Sequence, residues 1–401
     1  MYRGHTVGVV IPAYNEEPFV RETVVTVPTF VDRIYVIDDA STDGTWDEIQ
    51  KAVELDRHRA DEATSDEFDG RVVPIQHESN RGVGGAIKTG YLRARDDGLA
   101  ATAVMGGDGQ MDPSVLGQLF DPIIDGEADY VKGNRLAGRR DAGDMPPFRF
   151  VGNAVLGALT KIASGYWSTG DPQSGYTAIS YRALHEADID DMYEFYGYCN
   201  DLLVKLNVAR LRVVDIPNPI IYGDEKSHIK YHTYIPRVSL MLLRNFVWRL
   251  KTNYLTFGFH PLVIAYAMGV GASAIGVLGL AWTLVSALGP GLPVAEGLLS
   301  VLVFTLGILS LVGAMSMDID ANRDLDSILL PSRGSPTGGG SGVSERAGDA
   351  AAANGSGQFE EHHASVAANG EITHRHARDD VLDDPRLDVE PVPELDPEYD
   401  D

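Results

Sequence analysis

The sequence predicts an α/β protein with a mostly parallel central sheet, followed by a two-span transmembrane helical hairpin and a disordered acidic tail. Three observations carry this prediction. From Thr6 to about Val131, short β-branched runs alternate with amphipathic stretches; two long apolar runs begin at Pro261 and Val294; and from Pro331 onward Gly, Ser, Ala, His and acids dominate. The boundaries that follow are 1–230 for the α/β domain and 231–258 for an interfacial amphipathic region. Next come 259–318 for the two spans, 319–330 for a juxtamembrane segment and 331–401 for the tail.

Taking the elements in order, "TVGVVIPAY", "DRIYVIDD", "RVVPIQ", "AATAVM" and "ADYVKG" have the composition of strands, and "EEPFVRETVVTV" and "TWDEIQKAVEL" that of helices. Strict alternation implies a parallel sheet with helices on both faces and a ligand crevice at the carboxyl ends of the strands. The charged stretch "DRHRADEATSDEFDG" breaks the rhythm and is expected to be a solvated surface insertion. In "YIPRVSLMLLRNFVWRLKTNYLTF", apolar residues alternate with Arg237, Arg244, Arg249 and Lys251 at near-helical spacing, as in a helix lying in a membrane interface. Each apolar run beyond it exceeds the roughly 20 residues needed to cross a bilayer. Basic residues flank the pair, including Arg323, and none lies in the connecting "PGLP". The positive-inside rule then places the protein in the cell membrane as a multi-pass protein, with the α/β domain and the tail cytoplasmic and the turn outside.

Composition excludes several classes. With 58 acidic against 33 basic residues and a net charge of −25, the chain is not expected to bind nucleic acid, because phosphate neutralisation needs excess Lys and Arg. The tail from Pro331 holds 16 acids and 5 bases, so the acidity is spread over body and tail. A strongly hydrated acidic surface suits a halophile's protein kept soluble in concentrated salt; an ordinary acidic cytoplasmic protein is the alternative. The single cysteine, Cys199, excludes an intrachain disulfide and a multi-cysteine zinc site. "MYRGHTVGVVIPAYNEE" meets charge too early for a secretory signal. The tail is too poor in apolar residues to offset the entropy of ordering.

The candidate chemistry falls at strand ends. "VVIPAYNEE" closes the first strand on a polar turn, either a first contact for a nucleotide or a helix start capped by Asn15. "VIDDASTDGT" places Asp38 and Asp39 at the next end, where a carboxylate can accept hydrogen bonds from a ribose or a base, with Ser41 and Thr42 able to cap the following helix. "ESNRGVGGAIKTG" is a glycine-rich helix entry beside Arg81, without the Lys-Ser pattern of a Walker loop. "GGDGQMDP" offers one acid and one amide, enough to hold Mg2+ or Mn2+ when nucleotide phosphates and water complete the octahedron. The same loop equally reads as a turn in which Asp112 and Pro113 start a helix.

In sequence, "VVIPAYNEE", "VIDDASTDGT", "NRGVGGAIKTG", "DGQMDP" and "GNR" resemble the GT-A domain of family 2 glycosyltransferases, most closely the polyprenyl- or dolichyl-phosphate sugar (hexose) synthases with a C-terminal membrane anchor. The resemblance covers about residues 6 to 255. It implies inverting transfer from a UDP- or GDP-linked sugar to polyprenyl (dolichyl) phosphate, with a Mg2+ or Mn2+ cofactor. By matching position, Pro12, Asn15, Glu16 and Asp39 would bind the nucleoside, and Arg81 and Gly84 would lie near its ribose and diphosphate. Asp108 and Gln110 would meet the metal; Arg135, Arg149 and Ser174 the acceptor phosphate. Asp201 would be a carboxylate base or orienter, and Lys226, Ser227 and Lys230 would belong to a lid. Two departures from the family pattern stand out. Gly106 replaces the first metal-associated acid, and in the lid Tyr222 and His228 stand where an arginine and a lysine are usual. A transferase acting on a glycolipid or polysaccharide is a second expectation, although the Gln-X-X-Arg-Trp type signature of processive synthases is missing from the sequence. A non-catalytic nucleotide-sugar-binding membrane protein is a third.

Overall fold

The structure, a computed structural model, describes residues 1–60, 68–134, 147–217, 231–256, 258–289 and 293–328. The five predicted strands form as β1 (Val7–Ala13), β2 (Arg33–Asp38), β3 (Val72–Gln76), β4 (Ala101–Val104) and β5 (Tyr130–Asn134). Between them run α1 (Val20–Thr26), α2 (Thr45–Ala60), α3 (Gly82–Asp96) and α4 (Leu116–Ile124). Helix α2 continues through Ala60, so the first part of the charged stretch is helix rather than an insertion. Asp56 in that turn is buried and accepts from Arg71 at 2.6 Å, which explains why a polar sequence stays ordered there. Residues 61–67 lie outside the described residues.

After β5 come α5 (Pro147–Ser164), β6 (Thr177–Ser180), α6 (Tyr181–Glu186), α7 (Tyr198–Val208) and β7 (Val213–Pro217). The eight-stranded sheet has the order β3-β2-β1-β4-β6-β5-β7-β8. Within it β6 runs antiparallel to its neighbours, with Thr102 opposite Ile179 and Val131 opposite Ala178. Strand β1 is buried almost throughout, as a parallel strand covered on both faces must be. Val7, Val9 and Ile11 pack with the α1, α2 and α4 layer, while Val10 packs with α3 and α7 on the other face. Strand order reverses between β1 and β4, which opens the crevice where a doubly wound sheet binds its ligand.

Beyond β7 the chain forms α8 (Tyr231–Lys251), a π-helical turn over Thr252–Thr256, then α9 (Leu262–Ser286) and α10 (Val294–Asn322). Both α9 and α10 are long and apolar enough to cross a membrane, and they pack on each other with outward apolar side chains such as Leu278 and Leu284. After α10 the chain returns to the central sheet as β8 (Asp326–Ile328), pairing parallel with β7 so that Val213 lies opposite Asp326. The segments on either side of the two apolar helices are therefore tied to one sheet and one junction.

The junction is a buried ion pair. Arg249 of α8 and Asp318 of α10 meet at 2.8 Å, both side chains fully buried. Arg249 also donates to the carbonyls of Ala163 (2.8 Å) and Ile162 (3.1 Å) at the end of α5. Tyr254 and Asn322 complete the group through Asp318. Gly165 lies at φ +77, and a Cβ there would stand 2.6 Å from the Arg249 Nη1, so the turn after α5 admits the guanidinium only because it lacks a side chain. The sequence pattern counts Arg249 with the interfacial charges. It instead faces inward, while Arg237, Arg244 and Lys251 are exposed beside Leu240, Leu243 and Val247.

Arg249→Ala strands the Asp318 carboxylate in a buried site and is expected to cost about 3–5 kcal/mol, read as a lowered midpoint in thermal unfolding of the detergent-solubilised protein. Pairing Arg249→Met with Asp318→Leu removes both charges and should recover most of that loss; a double variant as unstable as Arg249→Ala would show that the ion pair is not what the junction relies on.

Candidate functional site

Three loops converge at the carboxyl ends of β1, β2 and β4. The turn after β1 is stapled to the turn after β2: Asn15, at φ +55, accepts from the Thr42 amide at 2.8 Å, and its own amide donates to Ser41 Oγ at 2.9 Å. The Glu16 amide donates to Thr45 Oγ1 at 2.8 Å. Asn15 is thus a clasp between loops and not the cap of α1, whose N-cap position is Phe19, four residues later, without a side-chain cap. Helix α2 is capped by Asp43, whose Oδ1 accepts from the Thr45 amide at 3.0 Å, instead of by Ser41 or Thr42. Those two are engaged by Asn15.

Asp39 is buried at the end of β2 and oriented from two sides. Its Oδ1 lies 2.7 Å from His77 Nδ1 and accepts from the Arg81 amide at 2.9 Å. His77 Nε2 lies 2.9 Å from Thr89 Oγ1 on α3, so the ring braces the carboxylate against that helix. Asp38 beside it accepts from the Ser41 amide and from Gln76 Nε2. Pro12 sits between these loops, its carbonyl accepting from the Gly107 amide at 3.1 Å. That bond ties the β1 turn to the loop after β4.

In the loop after β4, the Asp108 Oδ1 accepts from the Gln110 amide at 3.1 Å, and the Gly106 amide meets Met111 Sδ at 3.2 Å. A Cβ at Gly106 would stand 2.9 Å from Asp108 Oδ1, so the surviving acid reaches back over the glycine that replaces the first one. Asp112 caps the short helical turn at Pro113–Val115 through the Ser114 amide, as its position before proline predicts. Among the described residues no cluster of three His, Cys, Asp or Glu side chains is built to hold a metal. Asp108 and Gln110 supply a carboxylate and an amide carbonyl on one turn, hard oxygen donors that suit Mg2+ or Mn2+ as a partial ligand set.

The glycine-rich entry of α3 has a use that its sequence does not reveal. A Cβ at Gly84 would collide with the Tyr193 carbonyl, and the Gly85 amide donates to the Glu194 carbonyl at 2.8 Å. The glycines admit the 193–197 loop. Glu194 Oε1 in turn accepts from Arg81 Nη2 at 2.6 Å and Lys88 Nζ at 3.0 Å. Burial works to raise the Glu194 carboxyl, but the hydrogen bonds from Arg81 and Lys88 outweigh it and hold the group below the usual range.

The stretch "DPQSGY" forms the approach to β6. Tyr176 donates to the Asp112 carbonyl at 2.7 Å, joining it to the β4 loop. Ser174 is buried, and among the described residues Ser174 Oγ, Gln173 Nε2 and Thr169 Oγ1 are buried polar atoms without a protein partner. Asp215 of β7 receives the Gly170 amide and Asn134 Nδ2, linking the "GNR" strand end to the same loop. Asp201, on α7, has both oxygens engaged: Oδ2 accepts from the Tyr193 amide at 2.9 Å and Oδ1 from Asn245 Nδ2 at 2.7 Å. Burial pushes its carboxyl up, opposed by the Tyr193 amide, Lys205 and Asn245. Arg149 lies in the first turn of α5, with its side chain outside the described residues, as are Arg135, Lys226, Ser227 and Lys230.

The structure brings Pro12, Asn15, Glu16, Asp39, Arg81 and Asp108 around one crevice through the bonds above. Sequence reasoning misses His77, Glu194 and Asn245. Each is a polar residue whose partner is distant in the chain, Glu194 and Arg81 being 113 positions apart, so no local pattern marks it.

Residues 8–187 match the glycosyl transferase family 2 profile. The UDP-N-acetylglucosamine–dolichyl-phosphate N-acetylglucosaminyltransferase of Methanococcus voltae is 32% identical over 216 residues, covering 54% of this chain and 85% of that protein. The undecaprenyl-phosphate mannosyltransferase of Micrococcus luteus is 27% identical over 214 residues, 52% of this chain and 80% of that one. Among solved structures, a mannosyltransferase of Pyrobaculum calidifontis in complex with GDP-Man and Mn2+ superposes with a TM-score of 0.44 at 18% identity, over 79% of this chain and 87% of the other. With its motifs assembled at the switch point of the sheet, this chain belongs to glycosyltransferase family 2 and carries its chemistry on a GT-A domain.

Proposed function

We propose that the protein transfers a hexose from a UDP- or GDP-linked donor to polyprenyl (dolichyl) phosphate at the cytoplasmic face of the cell membrane, with inversion at the anomeric carbon. The observation that carries this reading is the return of the chain, after two apolar helices, to the central sheet as β8. A crevice bound to a membrane hairpin through its own sheet stays at the bilayer surface, where a lipid phosphate must be met. The relatives from Methanococcus voltae and Micrococcus luteus, a dolichyl-phosphate and an undecaprenyl-phosphate sugar transferase, support the acceptor class.

In this reading Pro12, Asn15, Glu16 and Asp39 frame the nucleoside, with Asp39 oriented by His77. Arg81, steadied by Glu194, lies near the diphosphate together with the Gly84 helix entry. Asp108 and Gln110 would hold Mg2+ or Mn2+ as a partial ligand set, which nucleotide and water would complete. A divalent cation held there would supply charge neutralisation for the leaving nucleoside diphosphate. Arg135, Arg149 and Ser174 receive the acceptor phosphate, and Lys226, Ser227 and Lys230 keep the lid role that the family pattern implies. The attacking phosphate monoester has its second pKa near ~6 and needs no strong base at neutral pH. Asp201, with both oxygens bound to protein N–H groups, therefore acts as an orienter.

Purified protein in vesicles containing dolichyl phosphate, given a UDP- or GDP-hexose and Mg2+ or Mn2+, is expected to form a lipid-linked monosaccharide of inverted anomeric configuration, measured by extraction and NMR. Transfer solely to polysaccharide, protein or diacylglycerol would overturn the acceptor assignment. Asp108→Ala should lower kcat by about a hundredfold or more while the thermal midpoint stays in place; undiminished transfer would remove Asp108 from the mechanism. For topology, the lone Cys199 is buried and gives little background. A membrane-impermeant thiol reagent on intact cells should label a Gly291→Cys variant and spare a Ser341→Cys variant, and the reverse pattern would invert the orientation.

A further inference from the structure

The 193–197 loop touches both the donor side of the crevice and the helix with the apolar, cationic outer face. On one side it meets Gly84, receives the Gly85 amide and holds Arg81 and Lys88 through Glu194. On the other it is fixed by α8 at two points. Gly197, at φ +113, packs so closely beneath Val238 that a Cβ there would stand 3.0 Å from Val238 Cγ2. The Tyr193 amide is held by Asp201, and Asp201 by Asn245 of α8.

Helix α8 has two faces. Val238 and Leu242 are buried against α5 and α7 of the domain and Leu250 is buried with Tyr254, Leu262, Tyr266 and Ala314, whereas Leu240, Leu243, Val247 and Trp248 are outward beside Arg237, Arg244 and Lys251. Apolar and cationic residues on one exposed stripe fit the boundary between lipid headgroups and acyl chains. The outer face of α8 therefore suits contact with a bilayer, and Asn245 of that helix donates to the carboxylate that holds the 193–197 loop.

We propose that Asn245 is a positioning residue for donor binding: through Asp201 and the 193–197 loop it makes the placement of Arg81 depend on how α8 is seated at the membrane. Without the Asn245 amide, Asp201 loses one of its two donors and the Tyr193 amide loses a fixed acceptor. Glu194 then no longer holds Arg81 in one place. The inference rests on the reading of Arg81 as a contact for the nucleotide diphosphate.

The test measures binding of UDP and GDP with Mg2+ by calorimetry, and the Michaelis constants of both substrates, for full-length protein in vesicles. Asn245→Ala should weaken nucleotide binding and raise the donor KM by about tenfold, with the polyprenyl phosphate KM and the thermal midpoint little changed. Asn245→Asp, which sets two carboxylates face to face, should be worse. Combining Asp201→Asn with Asn245→Asp restores both bonds, the one between α7 and α8 in reversed sense, since the carboxamide introduced on α7 can accept from the Tyr193 amide and donate to the carboxylate introduced on α8. That pair should bring nucleotide affinity back to within about threefold of wild type. Unchanged nucleotide affinity in Asn245→Ala would overturn the proposal. So would an equal loss for both substrates with a lowered midpoint that the reversed pair fails to repair. A wild-type protein that binds neither UDP nor GDP would overturn the functional reading itself, and this inference with it.

Discussion

The Arg249–Asp318 pair is the constraint on which the arrangement of the molecule depends. It joins the helix before the two apolar spans to the last turn of the second, and through the carbonyls of Ile162 and Ala163 it joins both to the α/β domain. A charge pair removed from water is stable only when its remaining hydrogen-bonding capacity is met. Here the guanidinium reaches two backbone carbonyls and the carboxylate, and Asp318 also receives Tyr254 and Asn322. Hydrophobic packing alone would leave the angle between the hairpin and the domain loosely specified, because apolar contacts are non-directional. The ion pair and the β7–β8 ladder add directional bonds at two separate places.

That rigidity gives the crevice its setting. The loops after β1, β2 and β4 are knitted by short polar bonds, Asn15 to Thr42, Asp39 to the Arg81 amide, and Gly107 to Pro12. None of these is strong singly, but each removes freedom from a loop that must present its atoms to a ligand. The third side of the crevice is different in kind. The 193–197 loop is held from below by α7 and α8, so this side of the crevice is built partly on a helix whose outer face is apolar and cationic.

Much of the architecture was legible in the sequence, and the failures share a cause. Strands β1 to β5 and the two spans announce themselves through runs of β-branched or apolar residues. Strand β6 is four residues, buried on both faces, and "TAIS" has no alternation to mark it. Strand β8 is three residues of "DSI", a strand only because β7 offers it an edge. At the site, the capping role of Asp112 was readable because cap and helix are adjacent in the chain. Asn15 was not readable as a clasp, since its partner lies 27 positions away.

By itself the sequence determined what depends on near neighbours: the alternation of strand and helix, the length of the apolar spans, and the placing of Pro12, Asp39 and Asp108 at strand ends. These follow from periodicity, turn chemistry and the fixed rise of each element. Only the tertiary structure decided which polar groups meet. Arg249 has the same kind of local surroundings as the exposed Arg244 and becomes the buried partner of Asp318, 69 positions on, because α8 turns that face inward. The glycines of "RGVGGA" look like a phosphate cradle in sequence, and in the fold they also make room for the backbone of Tyr193 and Glu194. A side chain's local context is identical whether it is solvated or buried, and its partner is chosen by the path of the chain between them.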